Sequence, residues 1–377
     1  MSATATLSGN DRRLAVIAGA STLFALSAAV ARWTGLMPSA AGTVVVIIGA
    51  AIALRVAWSF AATSASSLAR VKTLALISNV GLVISGVTLL ATLPRITQVG
   101  GIGPMFKDTA AQLWTIALVS IAAGAVRTFG WRVFAGMFLV GFLALSGLAR
   151  FIGRPIIESL GDSSALAVGV CVPILEELAK LIPVAIILYV ALRTKRSRPS
   201  ALDLTLVGAW CGAGFAVYEN ATFGRGSFSL TTNSVLSPLY PMVVHGSAFG
   251  WPLTQVGHTV HTALIALCLA FYFLYRNREP RARIAPVVGA VSVLLEHCSQ
   301  NTLVVGGLSR IVARFTVIAT LDGMLTPLLL AAGIGYVAWR ESRAIAGKFD
   351  PWTIGQLSPA EAARRAALLA AAQASAR

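Results

Sequence analysis

The chain has 377 residues, of which 56% are hydrophobic and only 12% charged, and its mean hydropathy is +0.79. Soluble domains carry about 25% charged residues, so this composition is that of a polytopic membrane protein and excludes the soluble enzyme classes. Lys and Arg number 30 against 14 Asp and Glu, a net charge of +16. In a membrane protein such an excess reflects basic residues held on cytoplasmic loops, so no nucleic-acid partner is expected.

Apolar runs of about 17 to 25 residues can cross a ~30 Å hydrocarbon layer as helix, and open chain with unpaired backbone groups is too costly in lipid. Ten such runs fall near 14–31, 41–62, 73–93, 111–127, 133–149, 164–192, 201–221, 256–275, 284–306 and 316–338. The expected fold class is all-α: a multi-pass transmembrane helix bundle of about ten spans in the plasma membrane, with the lipid bilayer as its surroundings. Loops placed inside carry 21 Lys and Arg and those placed outside carry eight. Both termini are therefore expected in the cytoplasm and residues 222–255 outside.

The first run has Arg12 and Arg13 ahead of it and ends Ala29-Val30-Ala31, as a signal peptide would, but its length favours a retained helix. The stretch from Leu236 to Leu253, interrupted by Pro238, Pro241 and Pro252, reads as a segment that dips into the membrane without crossing. Within the tail, 349–377, Ser358, Pro359 and Glu361 supply an N-cap, a first-turn proline and a capping-box acid for a short cytoplasmic or membrane-surface helix. Cys171, Cys211, Cys268 and Cys298 all lie within apolar runs and are expected as free thiols.

Ionisable residues are distributed unevenly along the spans. The first five runs hold essentially none away from their ends, whereas the sixth to ninth contain Glu176, Glu177, Lys180, Glu219, His258, His261, Glu296 and His297. A charge at mid-membrane costs roughly 2.5–3.5 kcal/mol even on the lenient insertion scale, so such groups persist where they pair, line water or do work. The chain divides accordingly into a five-helix N-terminal extension, 1–150, and a functional core, 163–338. Glu176 and Lys180 are four apart in the favourable order for a salt bridge, and adjacent Glu177 points about 100° away, so one glutamate is expected to be held while the other faces water. Pro173 and Pro183 should bend this helix and open a cavity. Gly208, Gly212 and Gly214 suit close helix contact. His297 shares a helix face with Asn301, and His258 with His261. Two imidazoles and a glutamate match a catalytic zinc set with one open position, which makes Glu177, His258 and His297 candidate metal ligands; His261 and His245 are assigned to packing.

Four motifs in order carry a family resemblance: Glu176-Glu177-x-x-Lys180, Gly214-Phe215-x-x-x-Glu219-Asn220, Gly257-His258-x-x-x-Thr262, and His297 with Asn301 four residues on. Together they resemble the PrsW family of intramembrane proteases, within the superfamily of the CAAX prenyl endopeptidases. The family often has Asp where Asn301 stands and an apolar residue where His261 stands. The resemblance implies hydrolysis of a peptide bond in a membrane-anchored protein substrate such as an anti-sigma factor. It assigns Glu176 or Glu177 to activation of a water, with Glu219, His258, His297 and Asn301 as further catalytic candidates. Zn2+ held by histidine and glutamate, and a metal-free glutamate mechanism with oxyanion donors, both fit the motifs. A proton-coupled transporter and a non-catalytic membrane scaffold are the alternatives from other classes.

Overall fold

The computed structural model describes residues 102–123, 129–161, 164–194, 199–223, 243–248, 251–255, 257–277, 279–305 and 323–345, with a few single positions besides. The first three expected spans and the tail helix lie outside the described residues. Helix α1 (Ile102–Ala123) covers most of the fourth expected run. Helix α2 (Trp131–Leu160) is 30 residues long and outruns the expected 133–149. Its added turns are polar: Arg154 and Glu158 pair at 2.6 Å on an exposed face, and the helix stops at Gly161, whose φ of 93° only glycine adopts readily.

The sixth expected span is broken. A π-helical turn, Ala167–Cys171, leads into α3 (Val172–Lys180), and α4 (Ile182–Thr194) follows after a turn at Leu181. Pro183, in the first turn of α4, has no N–H for the carbonyl of Ala179, so the backbone ladder is interrupted where the sequence predicts a bend. Then come α5 (Ala201–Phe223), a hairpin of β1 (Val243–Ala248) and β2 (Trp251–Gln255), α6 (Gly257–Tyr275), α7 (Pro280–Val305) and α8 (Leu325–Ile345). Among the described residues, four helices are long and apolar enough to cross a membrane: Trp131–Leu160, Ala201–Glu219, Gly257–Tyr275 and Pro280–Thr302. The stretch expected to dip into the membrane forms, over its second part, the antiparallel hairpin with Val243 opposite Gln255 and Ala248 opposite Trp251.

Helix α5 is the axis of the bundle. Its start is a reciprocal capping box, in which Ser200 N–H donates to Asp203 Oδ2 and Asp203 N–H donates to Ser200 Oγ, both at 2.9 Å. Asp203 Oδ1 also accepts from Phe129 N–H, just ahead of α2. Glu341 of α8 accepts from Ala201 N–H at 2.9 Å and from the Tyr275 hydroxyl of α6 at 3.3 Å. One helix start thereby joins three neighbours, above a core that includes Leu202, Leu206, Leu264 and Leu267, all essentially inaccessible.

The glycines expected to allow close contact do so. A Cβ at Gly214 would overlap the carbonyl of Phe138 on α2, and one at Gly212 would overlap the carbonyl of His258 on α6. Gly141 of α2 faces the carbonyl of Cys211 in the same way. Gly212→Ala is expected to push α6 off α5 and destabilise the bundle by about 1–3 kcal/mol, read as a lower unfolding midpoint of the detergent-solubilised chain. The four cysteines are free thiols, as expected.

Candidate active site

Five helices contribute to one buried polar cluster. α3 brings Glu176, Glu177 and Lys180; α5 brings Phe215 and Glu219; α6 brings His258 and His261; α7 brings Glu296 and His297; and α8 brings Thr326. His258 follows Gly257, whose φ of 74° lets the chain turn sharply from β2 into the first turn of α6.

Lys180 sits at the centre and is inaccessible to solvent. Its Nζ donates to Glu177 Oε1 at 2.6 Å and to His258 Nδ1 at 2.6 Å, and lies 4.8 Å from the centre of the Phe215 ring. The expected Glu176–Lys180 pair at i,i+4 is replaced by Glu177–Lys180 at i,i+3, because the ammonium is drawn toward Phe215 and His258 on the neighbouring helices. An ammonium only donates, so His258 accepts on Nδ1 and carries its hydrogen on Nε2, which donates to Glu219 Oε2. Both ring nitrogens of His258 are thereby committed.

His297 donates from Nδ1 to Glu177 Oε1 at 2.9 Å. Its other nitrogen, left as an acceptor, faces Glu176 Oε2 at 3.5 Å. The two adjacent glutamates are therefore held differently. Glu177 is gripped on Oε1 by Lys180 and His297, and the Oε2 atom of each glutamate is buried without a hydrogen-bond partner. The Glu176 side chain is 10% accessible against 3% for Glu177. Glu219, at 25%, forms the more open edge.

Glu176, Glu177, Glu219, His258 and His297 thus converge. The amide of Asn301 instead donates to the carbonyl of Val168 at 3.3 Å. That carbonyl lies in the π-helical turn, and the residue five positions on is Pro173, which has no N–H to give. Asn301 thereby ties the segment leading into α3 to α7. The side chains of His245 and Asn220 lie outside the described residues.

Two further members are His261, expected as a packing residue, and Glu296, one of the intramembrane ionisable groups with no expected catalytic role. His261 Nε2 is 3.2 Å from Glu296 Oε1, and the Thr326 hydroxyl donates to Glu296 Oε2 at 2.6 Å. The i,i+3 relation of His258 and His261 and the adjacency of Glu296 to His297 were the available signals, but the contact between α6 and α7 is what joins them.

The donor set fits a divalent ion. Ligand atoms of Glu177, His258, His261 and His297 lie within 4.8 Å of one another, as do those of Glu176, Glu219 and His258. The cluster gathers four carboxyl groups and three imidazoles around one ammonium, and its unpartnered atoms, Glu176 Oε2, Glu177 Oε2 and His261 Nδ1, are acceptors. A cation is the natural counterpart of such a set.

No curated protein and no solved structure matches the chain. Residues 124–331 match the family model described as PrsW family intramembrane metalloprotease. The match takes in α2 to α7, every helix that supplies an expected site residue, and more than half of the sequence. With that span of agreement and a carboxylate–imidazole cluster inside it, the chain belongs to the PrsW family of intramembrane metalloproteases.

Proposed function

We propose that the cluster hydrolyses a peptide bond in a membrane-anchored protein, of the anti-sigma-factor kind, with Glu176 as general base. The observation that carries this reading is the unequal hold on the two glutamates: each keeps a buried Oε2 without a partner, but Glu177 Oε1 is taken by Lys180 and His297, and Glu176 is the more accessible of the two. Glu176 removes a proton from the attacking water as its oxygen bonds to the scissile carbonyl carbon; the C–N bond then breaks and the proton passes to the leaving amine. Glu177 orients His297, and Glu219 orients His258.

Glu177 and His297 are the residues of the expected metal set best placed to hold a zinc-like ion, since His258 would first have to release Lys180. When bound, such an ion polarises the scissile carbonyl and acidifies its water. The one-sided distribution of Lys and Arg supports a multi-pass protein of the plasma membrane with both termini in the cytoplasm and the cluster in the outer half of the bilayer. Residues 1–150 are read as an extension and 163–338 as the protease core.

The test is cleavage of a membrane-anchored reporter co-expressed with the full chain, with fragments mapped by mass. Wild type should yield a discrete fragment that His297→Ala does not; equal fragment from a folded, inserted His297→Ala chain removes His297 from the machinery. A proton-transport or purely structural cluster would give no fragment with either.

A further inference from the structure

His261 occupies a position read from the sequence as packing, yet its surroundings are those of a ligand. The residue is fully buried. Glu296 accepts from the Thr326 hydroxyl on one oxygen and faces His261 Nε2 with the other, which places the imidazole hydrogen on Nε2. Nδ1 is left as a lone pair with no donor. It points into the cluster, 3.9 Å from Glu177 Oε1, and its ring centre is 5.6 Å from that of His297. A packing histidine would need an acceptor for Nε2 alone, which does not account for a bare Nδ1 aimed at Glu177. A carboxylate hydrogen-bonded to the far nitrogen is the arrangement that fixes the tautomer and aim of a metal-binding imidazole. His258, by contrast, has no free nitrogen.

We propose that His261 is a metal ligand of this protease, aimed by the Glu296–Thr326 pair, and that with Glu177 and His297 it forms the set for a zinc-class divalent ion. Glu296 and Thr326 are positioning residues. The inference rests on the reading of the cluster as a metalloprotease centre.

The experiment uses the full-length chain purified in detergent and stripped of metal, titrated with Zn2+ against a chromophoric chelator and with Co2+ by its visible ligand-field absorption. Wild type should bind one equivalent of either ion. His261→Ala should bind about 100-fold more weakly and lose the Co2+ band, and Glu296→Gln should bind about 10- to 100-fold more weakly. Thermal unfolding of each variant reports whether it folds; if His261→Ala does not, Glu296→Gln decides. Unchanged affinity and an unchanged Co2+ spectrum in the folded variants would overturn the proposal. So would a wild-type chain that binds no ion, and if that ion-free chain still cuts the reporter, the protease reading stands while the ligand assignment falls. Ion binding that depends on His261, without cleavage of any reporter, gives the opposite division.

Discussion

Glu176→Gln will lower reporter cleavage about 10²- to 10⁴-fold, the usual contribution of a positioned general base, and leave the bundle folded. The amide matches the carboxyl group in size, and the oxygen it replaces has no protein hydrogen bond to lose, so stability should change by no more than about 1 kcal/mol. Glu177→Gln provides the contrast. It removes the charge that faces Lys180 and leaves an amide oxygen as a weaker acceptor for Lys180 and His297, and should lower both turnover and stability. Initial rates and unfolding midpoints of the two variants separate the roles. A fast Glu176→Gln chain beside an inert but stable Glu177→Gln chain would transfer the base to Glu177.

Lys180→Met carries the largest expected cost in stability. The ammonium and its Glu177 partner are almost wholly withdrawn from solvent, at 0% and 3% side-chain accessibility, and removing one member of such a pair leaves the other charge uncompensated, at about 3–5 kcal/mol. His258 Nδ1 loses its donor at the same time. The double variant Lys180→Met/Glu177→Gln removes both charges and should recover a good part of the lost stability, a coupling that a double-mutant cycle measures. Cleavage should not recover with it, because His297 will still lack the carboxylate that orients it. Recovery of both together would mean that the pair serves the fold alone. No recovery of either would mean that Lys180 contributes chiefly through Phe215 and His258.

Much of this arrangement was legible in the sequence because membrane burial makes polar residues conspicuous. Glu176, Glu177, Glu219, His258 and His297 stand out from apolar runs, and their helices were placed to within a few residues. The break ahead of Pro183 and the close approach at Gly208, Gly212 and Gly214 follow from the covalent chemistry of those residues. What the sequence withheld depends on contacts between helices. Periodicity places Lys180 within reach of Glu176 and Glu177 alike, and the choice between them is made by Phe215 and His258, which belong to other helices. His261 looks like a second helical histidine until Glu296 and Thr326 arrive behind it. Helical spacing pairs Asn301 with His297, while a carbonyl stranded by Pro173 claims its amide. The polar end of α2 ran on past its expected limit because hydropathy detects lipid contact and not helix as such.

The glycine contacts of α5 also constrain how this chain can drift over generations. At Gly141, Gly212 and Gly214 the first atom that a methyl would strike is a main-chain carbonyl on the facing helix, and every amino acid presents the same carbonyl. No substitution on the opposite side can make room, so a lesion at these three sites has no local suppressor. Gly169 differs, because its obstacle is the Thr302 side chain, which a smaller residue would remove. Revertant screens should recover compensating changes for the latter and only true reversions for the former.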